Sequence, residues 1–141
     1  MTEPTYTPES SPISSAAPSV DAWLREAKAD AAAGRIGMYL IHNGVVRETA
    51  RAEARQGIAS DAVTGMQFSY DADKVAAAIR DAKAMPGIGL VRVWLNSGRL
   101  SLGDDIMLVL IGGDIRPHVV DCLQTLVGTI KKECVVEKEI F

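Results

Sequence analysis

Apolar and polar positions alternate along this chain in two registers, one with the period of helices and one with that of strands. From Asp21 the segment DAWLREAKADAAAG brings Trp23, Leu24 and Ala27 onto one helical face, with Gly34 where a helix-ending glycine belongs. Residues 36–46, IGMYLIHNGVV, form an apolar, β-branched run that reads as a strand, with Asn43-Gly44 permitting a bend or bulge. From Arg47 to Gly65 no period is evident. This polar stretch carries Arg47, Arg51 and Arg55 and reads either as a mobile loop near a site or as an ordinary surface loop. Met66 to Tyr70 predicts a second strand. Asp71 then caps a helix to about Met85, with Val75, Ala78, Ile79 and Ala82 on its apolar face and Pro86-Gly87 ending it. Leu90 to Leu95 predicts a strand, Asn96-Ser97-Gly98 a turn, and Ile106 to Ile111 a fully apolar strand. Gly112-Gly113-Asp114 turns into a last helix with Pro117 in its first turn, Val120, Leu123, Val127 and Ile130 as its buried stripe, and Lys131-Lys132 at its end. Cys134-Val135-Val136 predicts a closing strand. This order gives an α+β fold class rather than a doubly wound sheet.

The first residues, TEPTYTPESSPISSAAPS, are too poor in apolar side chains to offset the entropy of ordering and read as a disordered tail. The expected organisation is therefore a tail over 1–19 and one domain over 20–141. A chain of 141 residues, 48% hydrophobic and 23% charged, suits a single core. Its formal charge of −3 opposes nucleic-acid binding, so any anion site must be local. No run of about 18 apolar residues suggests a membrane span and no signal peptide is evident, which makes the cytoplasm the expected compartment.

Candidate chemistry is sparse. Cys122 and Cys134 do not form a C-x-x-C pair and read as ordinary thiols. His42 and His118 lack neighbours with metal-ligand spacing and read as structural or solvent-facing histidines. Trp23 and Trp94 read as core anchors. Neither a phosphate-binding loop nor a nucleophile elbow is present. What remains are cations at element ends, namely Arg47, Arg116, Lys131 and Lys138. They are either an anion site or, for the lysines, a solvated charge run.

An ordered series of residues carries a resemblance. It runs Asn43-Gly44-Val45-Val46-Arg47, then Tyr70 before a helix, then Ser97-Gly98-Arg99-Leu100 followed by Gly103-Asp104-Asp105-Ile106, then Arg116, Ile130-Lys131 and Lys138-Glu139. From Gly37 to Ile140 the chain resembles the large, catalytic, MoaE-like subunit of molybdopterin synthase, with the stretch from Gly98 to Lys138 alignable without a gap. The resemblance implies an α/β-hammerhead-like mixed sheet with packed helices. It also implies transfer of sulfur to cyclic pyranopterin monophosphate, forming the molybdopterin dithiolene of molybdenum cofactor biosynthesis. The sulfur donor would be a small ubiquitin-like carrier with a C-terminal Gly-Gly thiocarboxylate, bound at each end of a homodimer to make a heterotetramer. No cofactor or metal is implied for the transfer itself.

Carried over residue by residue, the resemblance makes Lys131 and Lys138 the catalytic lysines, and Arg47 and Arg116 the arginines that hold the substrate's anionic end. Lysine suits a site that gathers negative charge and, when desolvated, can also move protons or attack an acyl group. The other substrate-facing positions are Val45, Val46, Ile115 and Glu139. Here the chain departs from the family pattern. Val45-Val46-Arg47 stands for Lys-Val-Arg and Ile115-Arg116 for His-Arg. Glu137 replaces an aromatic residue, Glu139-Ile140 replaces a basic-acidic pair, and the family's C-terminal extension is expected to be missing after Phe141. Two readings follow: an active synthase subunit, or a non-catalytic paralogue that keeps the fold and binds a carrier tail or a small anionic ligand. A ferredoxin-like regulatory module is a third, resting on element order alone.

Overall fold

The computed structural model describes residues 16–141. Most of the expected tail lies outside the described residues. Within the described part, Ala17 already packs on a hydrophobic cluster and Ser19 caps the first helix, accepting from the Ala22 N–H at 3.2 Å. That helix, α1 (Val20–Lys28), is shorter than the apolar pattern suggests. Asp30 accepts from the Ala32 N–H and starts a separate 3-10 turn over Ala31–Arg35, so Gly34 sits inside a turn and does not end the helix.

The strands are β1 (Met38–Val45), β2 (Gly65–Tyr70), β3 (Ile88–Leu95), β4 (Gly98–Ser101), β5 (Asp105–Gly113) and β6 (Val135–Ile140). The helices after α1 are α2 (Arg51–Gln56), α3 (Ala72–Lys83) and α4 (Arg116–Thr129). The class is α+β. The expected mixed sheet resolves into two three-stranded sheets, ordered β1-β5-β3 and β4-β2-β6, and every pairing is antiparallel. For β3 and β5 the short connection explains this: parallel neighbours would need a crossover of a dozen or more residues, and only residues 96–104 lie between them.

Apart from Arg92 and the leading Asp105, strands β3 and β5 are apolar because both faces of their sheet are covered. Val91, Val93, Met107, Val109 and Ile111 face the main core with α3 and α4, while Leu90, Trp94, Leu108 and Leu110 face α1 through Trp23 and Ala27. Both tryptophans are therefore core anchors, as expected. Arg92 is the charged residue buried in this layer; its guanidinium pairs with Glu26 of α1 and lies 6.0 Å from the Trp23 ring centroid. In α3, Val75, Ala78, Ile79 and Ala82 are buried, as their spacing predicts.

The stripe of α4 differs from the expected one. Val119, Cys122, Leu126 and then Ile130 are buried, while Leu123 and Val127 lie half-buried along its edge and Val120 is half-buried. The helix is apolar on two adjoining faces, so sequence spacing alone does not tell which one the sheet covers. Gly113, at the end of β5, is the reason α4 can sit so close: a Cβ there would fall 2.7 Å from a Val119 methyl carbon and 2.9 Å from the Gly87 carbonyl oxygen. After Thr129 the helix does not stop at the lysines but widens into a π turn over Ile130–Cys134, which buries both Ile130 and Cys134. No helix among the described residues is long and apolar enough to cross a membrane.

Candidate functional site

The chain brings Arg47 and Lys131 to one cavity where the end of β1 meets β6. Asn43 ties β1 to the start of β5, donating from Nδ2 to Asp105 Oδ1 at 3.0 Å and to the Met107 carbonyl at 3.2 Å. A register shift between Gly44 and Val45 then bends the strand outward. Val46 is clamped on the turn between β4 and β5, its N–H donating to Asp104 O and its carbonyl accepting from Gly103 N. Beyond that clamp Arg47 emerges into solvent, its Nε donating to Thr49 O at 2.9 Å.

These residues form one side of a cavity of about 420 Å³. Its floor is apolar, from Val63, Met66, Ile106 and Met107; its rim carries Arg47, Lys131, Glu137 and Glu139. Lys131 arrives from the first turn of the π segment, directed outward by the burial of Ile130 beside it. His42, on β1, completes the wall near Lys131. Burial lowers the pKa of this imidazole, and the Lys131 charge lowers it further, so the ring is held toward its neutral form.

The remaining wall comes from α2, which the sequence pattern did not reveal. Glu139 reaches across from β6 and accepts the Arg51 N–H at 2.8 Å, fixing the first turn of this short helix. Gly57, at φ +69°, ends it in the left-handed conformation that favours glycine. Arg51 and Arg55 both line the cavity.

A sequence profile of the MoaE protein family matches residues 13–133. The chain belongs to the MoaE family. A comparison with curated proteins finds no match. Among solved structures, the chain is similar to a molybdopterin biosynthesis MoaE protein from Burkholderia ambifaria, with 16% identity, a TM-score of 0.69, and 96% of this chain and 88% of that chain covered. It is also similar to molybdopterin synthase from Staphylococcus aureus, at 18% identity and TM-score 0.61 with 76% of each chain covered. A third likeness is to a complex of subunits 1 and 2 of the molybdopterin-converting factor from Helicobacter pylori, at 16% identity and TM-score 0.61, covering 86% of this chain and 80% of that one. At these identities the structural likeness is one of fold.

The MoaE-family positions named from the sequence separate into two groups. Arg47, Val45, Lys131 and Glu139 line the cavity. Val46, Lys138, Ile115 and Arg116 do not. Val46 is 3% exposed and belongs to the main core. Lys138 is exposed because a strand turns alternate residues to opposite faces: β6 gives Glu137 and Glu139 to the cavity and points Lys138 the other way, opposite Gln67 of β2. Ile115 and Arg116 stand exposed at the start of α4. That helix has 14 residues, a rise of roughly 20 Å, so Arg116 lies at the far end from Lys131. Beside Arg116, Asp114 accepts the Ile115 N–H and pairs with His118 Nδ1 at 2.7 Å; the His118 hydrogen bond is the main reason the Asp114 carboxyl titrates below its ordinary range. His118 is thus a partner of the α4 start. His42, read from the sequence as structural or solvent-facing, lines the cavity. Among the described residues no group of three potential metal ligands occurs.

Proposed function

We propose that this MoaE-family chain is the catalytic large subunit of molybdopterin synthase. In this role it catalyses transfer of sulfur from a thiocarboxylated carrier to cyclic pyranopterin monophosphate, forming the molybdopterin dithiolene. The observation that carries the reading is the convergence of Lys131 and Arg47 on one cavity with an apolar floor. An apolar floor suits a flat heteroaromatic ring, and the cations suit a phosphate and an incoming thiocarboxylate. Lys131 is the catalytic lysine of this proposal. Lys138 serves from outside, on the open face of its sheet, where an extended carrier tail approaches. Arg116, at the other end of α4, serves the cavity of a second copy in the homodimer that forms the core of the heterotetramer. Val45 and Glu139 shape the substrate's surroundings, Ile115 accompanies Arg116 across the dimer, and Val46 acts through packing alone. The cytoplasm is the compartment that fits a biosynthetic enzyme with this architecture.

The test is molybdopterin formation from cyclic pyranopterin monophosphate, with a thiocarboxylated carrier from the same source. Wild type is expected to make product, Lys131→Ala none and Lys138→Ala almost none, and Arg116→Ala is expected to bind the pterin weakly. Mixing Lys131→Ala with Arg116→Ala protein is expected to restore part of the activity, because one cavity in a mixed dimer then has both groups intact. Full activity in Lys131→Ala would remove the catalytic assignment. Carrier binding without product would favour the alternative, a non-catalytic paralogue, which the two carboxylates on the cavity rim favour independently.

A further inference from the structure

The short helix α2 carries a feature that none of the family positions accounts for. Arg51 and Arg55 are one turn apart, hence on the same helical face, and both line the cavity. Among the described residues no carboxylate lies within salt-bridge distance of either guanidinium. The cavity's cations are Arg47, Arg51, Arg55 and Lys131 and its carboxylates are Glu137 and Glu139, four against two, a formal excess of +2. Without α2 the excess would be nil. Glu139, moreover, already accepts the Arg51 N–H, so its charge is directed at the α2 backbone.

The segment is held as an arm although α2 itself buries nothing. Val46 and Val63, 3% and 1% exposed, anchor its two ends in the core, and Ala50, at 2%, docks the residue before the helix. The Val63 N–H donates to the Glu48 carbonyl at 2.8 Å, closing the base of the loop. This is a fixed mounting for two planar, permanently charged forks, the side-chain geometry that matches phosphate oxygens bidentately.

We propose that Arg51 and Arg55 seat the anionic phosphate of the ligand in this cavity, with Glu139 as the residue that positions the arm. The inference rests on the reading of the cavity as a pterin phosphate site and deepens it. Within one chain the phosphate is met by α2, and a second copy's Arg116 adds to that seat from outside.

Calorimetric titration of the full chain tests this, using inorganic phosphate and cyclic pyranopterin monophosphate as separate probes at low salt. Each arginine is expected to be worth about tenfold in affinity, so Arg51→Ala/Arg55→Ala should weaken both probes by about a hundredfold. The Arg51→Lys/Arg55→Lys variant should fall between, keeping charge and losing the fork. Both substitutions lie on a helix without buried residues, so the circular dichroism of the fold should be unchanged. Unchanged affinity for both probes in the alanine variant overturns the arm and leaves the synthase reading standing. Arginine-dependent phosphate binding with no pterin binding keeps the arm and removes that reading. A loss confined to the carrier's tail, with phosphate affinity intact, overturns the arm by moving the arginines to the partner; no binding of either probe to wild type overturns both.

Discussion

Ile130 and Lys131 are adjacent, and the structure gives them opposite jobs, so substituting each in turn separates scaffold from chemistry. Ile130 is 0% exposed and sits in the main core where α4 widens into the π turn. Ile130→Ala removes three carbon groups, worth about 0.8 kcal/mol each on transfer from water. The cavity left behind adds a further term, bringing the total to about 3 to 4 kcal/mol. With a urea m-value of about 1.5 to 2 kcal/mol/M, the unfolding midpoint should fall by about 2 M with the m-value itself unchanged. Lys131→Ala, at a half-exposed position without an ion pair among the described residues, should change stability by less than about 0.5 kcal/mol while removing turnover. Paired urea titrations followed by tryptophan fluorescence measure both. A midpoint shift below about 0.5 M for Ile130→Ala would refute the reasoning, since the side chain would then not be closing the core at the base of the site.

Three further outcomes follow from the geometry. His42 should titrate below the ordinary histidine value of about 6.5. Lys131→Ala should raise it only part of the way, because burial is the larger cause; proton NMR of the imidazole checks this, and a midpoint at or above the ordinary value in wild type would contradict it. Because the folded-state pKa is depressed, the unfolded chain binds the extra proton first. Wild type should therefore lose stability as pH falls from the ordinary value through the lowered one, a loss that His42→Phe should not show. Asp71→Ala should cost about 1 kcal/mol in a thermal or urea melt, since the Asp71 carboxylate accepts the Asp73 and Lys74 N–H groups at 3.0 and 3.1 Å; no loss would mean that water caps α3 equally well.

Much of this fold is legible where local and tertiary demands agree. Asp71 announces α3 and the 3.6-residue spacing of Val75, Ala78, Ile79 and Ala82 gives its buried face, because that helix has one apolar side and one polar side. Likewise the unbroken apolar run of β5 says that both of its faces are covered. The elements that escaped are those whose reason lies far away in sequence. The first turn of α2 is tied by Glu139, 88 residues on, and the helix has no apolar stripe to betray it. The four residues of β4 look like part of a turn until β2 is seen pairing with them from Gly65 to Phe68. The site divides in the same way. Arg47 and Lys131 follow from family likeness and sit together, whereas which face of β6 meets the cavity depends on how the preceding π turn delivers the strand, something no residue in β6 encodes by itself.

That π turn carries a consequence for how this site could change over time. Strand parity is binary: advancing the chain by one residue exchanges everything on one face for everything on the other. The π turn over Ile130–Cys134 holds one residue more per turn than an α-helix would, just ahead of β6. Loss of a single residue there, with the turn tightening to α geometry, would deliver β6 one step out of phase and present Lys138 to the cavity in place of a glutamate. The sign of that wall thus depends on one codon's worth of chain between Lys131 and β6, and an insertion or deletion there could recast the chemistry of the pocket without a single substitution among its lining residues.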